Sequence, residues 1–146
     1  MCLFKNQMSK CITLFIFLYV ICGQVFADVV NKAVEAGKNE YARSCENCHG
    51  ASGKGDGPYS SRLIIKPADL TILAKTNNGA IPISSIYRMI DSSDDVAFHG
   101  GTRMPVWGNR YWSESISELG PDNSQTFVRG RIFELLIYLD TLQVND

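Results

Sequence analysis

Tyr41-Ala42-Arg43-Ser44-Cys45-Glu46-Asn47-Cys48-His49-Gly50 is the stretch on which the reading of this 146-residue chain turns. Cys45 and Cys48 are three residues apart, so on a helix they are neighbours on one face. His49 follows at once. In front of them Val30, Val34, Gly37, Tyr41 and Cys45 recur at the spacing of a single buried face, which predicts a helix over residues 30–48. Behind them Gly50-Ala51-Ser52-Gly53-Lys54-Gly55-Asp56-Gly57-Pro58 breaks any regular element. Two thiols and an imidazole therefore sit together where a helix ends and a glycine loop begins.

The other strong periodic segment lies at the far end of the chain. Val128, Ile132, Leu135, Leu136, Leu139 and Leu142 form one stripe, and Ser124 or Thr126 is placed to cap the helix that carries it. Between the two helices the chain reads as loop. Residues 59–82 offer a short turn near Pro67-Ala68-Asp69-Leu70-Thr71. Ser84 opens a short helix with Ile86, Met89 and Ile90, and residues 91–111 are rich in turns. Residues 112–126 are polar and carry a Gly120-Pro121 stop; they read as a solvated loop, with a partner-binding insertion as the alternative. No alternating run long enough for a sheet appears. The class is all-α: a small fold with its N- and C-terminal helices packed together and long loops between them. Loops of that length are uncommon in a compact domain unless something organises them, and a group buried among them would complete the core.

The N-terminal segment stands apart. Lys5 and Lys10 precede an apolar run over residues 12–21, and Val25-Phe26-Ala27 presents small residues where a signal peptidase reads. Residues 1–27 are expected to be a signal peptide cleaved after Ala27, leaving residues 28–146 as one domain. An uncleaved inner-membrane anchor is the alternative, although the run is short for a span. A lipid anchor on Cys22 is disfavoured by bulky Tyr19 and Ile21. Cys2, Cys11 and Cys22 all belong to this segment, so Cys45 and Cys48 are the only cysteines of the domain, which is no disulfide scaffold. The expected compartment is the periplasm, an oxidising one in which such a pair forms a disulfide or is used covalently. The formal net charge of −1 excludes a strongly basic nucleic-acid binder.

Cys-x-x-Cys-His is the pattern of covalent haem attachment. Both thiols reach the vinyl groups along one porphyrin edge, and the adjacent His49 turns its imidazole to the iron. Zinc held by Cys45, Cys48, His49 and His99 is a weaker reading, because adjacent Cys48 and His49 suit a tetrahedron poorly. A thioredoxin-type redox pair would have a strand before it and a helix after it, and here the order is helix, then glycines. The expected cofactor is therefore one covalently bound haem c with its iron, and His49 is one axial ligand. Met104, between glycines in Gly100-Gly101-Thr102-Arg103-Met104-Pro105-Val106-Trp107-Gly108, is the candidate for the other. A thioether is a soft ligand that favours reduced iron. Gap filling is the bland role for such a residue, and His99 is the rival ligand.

Gly37-x-x-x-Tyr41-x-x-x-Cys45-x-x-Cys48-His49, the loop Gly53-Lys54-Gly55-Asp56-Gly57-Pro58 and Met104-Pro105-x-Trp107 together resemble the class I cytochromes c, over nearly all of the exported chain. The resemblance implies a monohaem, helical electron carrier whose first and last helices pack together. Gly37 would allow the close approach, with Tyr138 or Phe133 resting there. It implies a proline carbonyl accepting the Nδ1 hydrogen of His49, with Pro58 the choice and Pro67 the alternative. Trp107 is expected in the haem pocket, bonding a propionate or packing as core. Tyr59 and Leu63 are pocket walls by position. Arg103 and Arg110 pair with propionates or are simply exposed. The expected function is one-electron transfer between exported or membrane redox proteins, with no catalysis and no small molecule at the iron; the alternative is an electron-transfer subunit of a larger periplasmic oxidoreductase. The lysine-rich docking face of the family is not evident.

Overall fold

The computed structural model describes residues 26–91 and 104–144. Two compact units divide the chain, Met1–Lys32 and Ala33–Asp146. Of the first, residues 26–32 are described: they are helical and exposed, with the Lys32 ammonium 2.8 Å from the Asp28 carboxylate one turn earlier. The apolar run at residues 12–21 and most of the expected signal peptide lie outside the described residues. Among the described residues, no helix is long and apolar enough to cross a membrane.

The second unit is all-α among its described residues. Helix α1 covers residues 33–44 of this unit and is followed after Cys45 by the single turn α2 (Glu46–His49). Three short 3₁₀ turns follow, at Ser60–Arg62, Leu70–Ile72 and Lys75–Asn77. Then come α3 (Ile83–Asp91) and α4 (Trp107–Thr141). The α3 helix begins one residue before Ser84. The Pro82 carbonyl accepts from Ser85 and Ile86, while Pro82 itself contributes no donor.

Helix α4 corrects the loop expected over residues 112–126. Its backbone is helical through that stretch and breaks at one point, Gly120, with φ 72° and ψ 171°. Pro121 causes the break: its ring keeps the preceding residue out of the helical region, and only glycine takes this positive φ cheaply. Proline is favoured at the first position of a new helix, so the chain resumes at once and α4 has two arms, residues 107–119 and 121–141. Ser124 is consequently fully buried inside the second arm instead of capping it. The serines that made the first arm look polar bond back to their own helix, Ser113 to the Asn109 carbonyl at 2.9 Å and Ser115 to that of Tyr111 at 3.0 Å.

The core is built where α1, α3 and α4 meet. Tyr41 and Cys45 bring one face of α1, Ile86 and Ile90 that of α3, and the predicted stripe from Val128 to Leu139 that of the second arm. Gly37 sets how closely α1 approaches α4. A Cβ there would overlap the Glu134 carbonyl oxygen and lie 2.8 Å from the Tyr138 Cβ. One turn on, the Tyr41 and Tyr138 rings meet at 5.3 Å between centroids, tilted by 55°. Of the two aromatics expected at this crossing, Tyr138 is the one that packs; Phe133 is 55% exposed.

Gly37→Ala should therefore destabilise the fold by about 1–3 kcal/mol through overpacking. Gly130, in the same arm of α4, has open space where its Cβ would be, and Gly130→Ala should stabilise by up to about 1 kcal/mol through helix propensity. Urea unfolding of both variants reads the opposite signs.

Candidate cofactor-attachment site

The site is assembled by the last turn of α1, the single turn α2 and the loop that follows. The Cys45 amide bonds the Tyr41 carbonyl at 2.8 Å, and Cys48 and His49 bond the Cys45 carbonyl at 3.1 and 2.9 Å. The two cysteines thus stand one turn apart, as their spacing predicts, and both thiols are free. Cys45 is buried in the core and Cys48 half-buried. Burial pushes the Cys45 thiol up to about 12, with the charges of Glu40 and Cys48 adding to it. Cys45 is therefore a protonated thiol at neutral pH, unlike the exposed, acidified cysteine of a redox enzyme.

A helix this short leaves every carbonyl without an internal partner, and the glycine loop supplies the donors. Gly50 bonds Glu46 at 2.8 Å, Tyr59 bonds Asn47 at 2.9 Å, Gly57 bonds Cys48 at 3.2 Å and Gly55 bonds His49 at 2.8 Å. The Tyr41 hydroxyl reaches over the end to donate to the Gly50 carbonyl at 2.6 Å. Two glycines are sterically required. A Cβ on Gly57 would press on the carbonyls of Glu46 and Asn47, and one on Gly55, at φ 75°, would strike the Pro67 carbonyl.

That approach at Gly55 delivers residues 67–68 to the imidazole. His49 Nδ1 lies 3.0 Å from the Ala68 carbonyl oxygen. A carbonyl only accepts, so Nδ1 carries the hydrogen and Nε2 presents its lone pair. Burial lowers the pKa of His49 against the opposing pull of this bond, keeping the ring neutral, as a metal ligand must be. The expected acceptor is corrected by this geometry. Pro58 is exposed on the glycine loop, its neighbour Gly57 being tied to Cys48, and the accepting carbonyl is Ala68, one residue beyond the alternative Pro67. No sequence signal marks which backbone carbonyl a histidine will meet.

Met104 is half-buried and packs against the core, as do Trp107, Trp112, Leu70 and Leu73. Trp107 opens α4, with the Arg110 guanidinium 5.2 Å over its ring. Arg110 is committed elsewhere, to Glu114 at 2.8 Å and Ser44 at 3.3 Å. Tyr59 is about half exposed and Leu63 half-buried. His99, the rival ligand and the fourth ligand of the zinc reading, and Arg103, one propionate partner, lie outside the described residues. The described residues around α2 fit the attachment of a haem: two free thiols one turn apart and a neutral imidazole fixed through Nδ1.

No family model, curated protein or solved structure matches the chain.

The imidazole gives a pH test. Its pKa in the folded chain lies below its ordinary value near 6.5, so below that pH the unfolded chain binds the extra proton first. The apoprotein should lose stability as pH falls below about 6.5 and through the folded pKa. Urea midpoints measured from pH 8 to 5 should show this slope, and His49→Gln should remove it.

Proposed function

We propose that this chain is a monohaem c-type cytochrome that carries single electrons between exported or membrane redox proteins. The observation that carries the reading is the pairing of two free thiols, one helical turn apart, with an adjacent imidazole whose Nδ1–H is already bound to the Ala68 carbonyl. Zinc could use the two thiols, but adjacent Cys48 and His49 suit its tetrahedron poorly, and a redox pair has no need of the fixed imidazole.

Cys45 and Cys48 would hold the haem by adding their S–H groups across its two vinyl groups, forming two carbon–sulfur bonds with no change of oxidation state. His49 Nε2 and the Met104 sulfur would hold its iron. Bound in this way, the haem supplies a one-electron ferrous–ferric couple. The chain's own residues do the rest. The glycine loop and Ala68 keep the imidazole in one orientation and one tautomer. The Met104 thioether favours the reduced state and raises the potential. Leu70, Leu73, Trp107 and Trp112 bring apolar surface to the edge of the core. With its iron held by two protein side chains, the haem would leave no place for a substrate, and the protein would act as a carrier. Partners would meet it through a small, transient contact, as in other redox encounters. Export to the periplasm through residues 1–27 belongs to the same reading.

Pyridine haemochrome spectra of the purified protein test the attachment. The wild type should give the spectrum of haem bound by two thioethers, and Cys45→Ala a shifted α-band with one thioether at most. An unshifted band in that variant would sink the assignment. Redox titration tests the sixth ligand: Met104→Ala should lower the midpoint potential and let carbon monoxide bind the reduced protein rapidly. Unchanged potential and ligand binding would assign the position to His99 or another group.

A further inference from the structure

Glu40 is the one fully buried charged side chain among the described residues, 5% exposed. Burying a carboxylate is costly unless it is paired and hydrogen-bonded. Here the Tyr111 hydroxyl donates to Oε1 at 2.9 Å, the Ser44 hydroxyl donates to the same oxygen, and the Arg131 Nε lies 3.6 Å from Oε2. The network continues outward. Arg131 donates to Glu114 at 2.6 Å and Arg110 to the other Glu114 oxygen at 2.8 Å, while the Arg131 guanidinium lies between the rings of Tyr111 and Phe127 at 5.0 and 4.6 Å. Such a network is weak evidence for stability, since well-packed apolar residues often serve a core as well or better.

Its polarity is ordered. Glu40 is the innermost charge; the side chains of Arg131, Glu114 and Arg110 are 20%, 35% and 36% exposed. Water and salt screen the outer charges more than the inner one, so the core feels the negative end. That end is bound by Tyr111, a member of the buried cluster that also holds Cys45. Glu40 is five residues before Cys45 on the same helical run, and Tyr111, which binds Glu40, packs with Cys45 in one cluster. The charge of Glu40 is also felt at the Cys45 thiol, which it helps to raise.

We propose that Glu40 is a potential-setting residue, a fixed negative charge beside the Cys45 attachment that stabilises the ferric over the ferrous haem. The inference rests on the haem reading above. Arg131, Tyr111 and Ser44 are positioning residues that hold the carboxylate in place.

The test is the midpoint potential of the haem-loaded variants. Glu40→Gln keeps shape and acceptor while removing the charge; it should shift the electron-exchange equilibrium with a reference couple toward the ferrous form by on the order of ten-fold. Glu40→Asp should restore most of the wild-type value, and Glu114→Gln, at the screened end, should leave it unchanged. An unmoved midpoint in Glu40→Gln, or an equal shift in Glu114→Gln, overturns the proposal. Should Glu40→Gln fail to fold, Glu40→Met combined with Arg131→Met removes the pair together; its midpoint should also rise, and an unchanged or lowered one overturns the proposal. In the apoprotein, alkylation of Cys45 should be several-fold faster in Glu40→Gln than in the wild type and Glu114→Gln, and equal rates in all three count against it. A wild-type protein that takes up no haem ends the cytochrome reading, whereas loaded variants with unmoved midpoints end this one alone.

Discussion

The four carbonyls of α2 have no helical successor, and the way they are satisfied decides the geometry of everything around them. Unpaired, each would forfeit hydrogen-bond energy at a partly buried site. Residues 50–59 fold back to pair all four, and that return path leaves no room for a Cβ at Gly55 or Gly57. Because Gly55 lets the Pro67 carbonyl come close, the next residue, Ala68, reaches the imidazole of His49. The orientation of the ring is thus a consequence of backbone pairing rather than of side-chain packing. This also explains how so short a helix, far below the length at which helices sustain themselves, holds two reactive side chains in a fixed relation.

The remainder of the loop region is organised in the same way, by backbone groups and one reaching side chain. Gln143, beyond the end of α4, accepts from the Ala74 amide at 2.9 Å and donates to the Leu70 carbonyl at 2.8 Å, and the Val144 amide bonds Thr71 at 2.9 Å. The end of the chain therefore anchors the segment from Leu70 to Ala74. The apolar side chains of this region divide: Leu70, Leu73 and Ala74 pack against the core, whereas Ile64 is 88% exposed, and Tyr59, Ile65 and Ile72 are exposed as well.

How much of this was legible in the sequence depended on the range of the interaction. The buried faces of α1 and of the second arm of α4 follow from periodicity alone, from Val34 to Cys45 and from Val128 to Leu139. The Cys45–Cys48–His49 arrangement is local and readable for the same reason, whereas the crossing at Gly37 follows only from the resemblance to the class I cytochromes c, which leaves Tyr138 and Phe133 both open there. The acceptor of His49 was not readable, since any backbone carbonyl can serve and the selection of Ala68 is made by a steric approach at Gly55. The first arm of α4 was taken for loop because its serines count as polar by composition, whereas their hydroxyls are spent on the carbonyls of their own helix. Glu40 carried no signal at all. In sequence it is one more acid on a helix, and its burial depends on Tyr111 and Arg131, 71 and 91 positions away.

That last arrangement also explains why α4 bends. A straight helix over residues 107–141 would run about 50 Å and carry Tyr111 far from Arg131. The break at Gly120-Pro121 folds the first arm back, so that Glu114 of one arm reaches Arg131 of the other, and Tyr111 reaches Glu40 on α1. The Gly-Pro pair that reads as a stop is instead a hinge point fixed by covalent geometry. It joins three helical segments through a single polar network, whose inner end is a carboxylate bound by Tyr111, a member of the buried cluster that also holds Cys45. On the proposed reading, the break in the helix and the charge beside the haem are parts of one construction: without the first, the second loses the Tyr111 hydroxyl and keeps only that of Ser44.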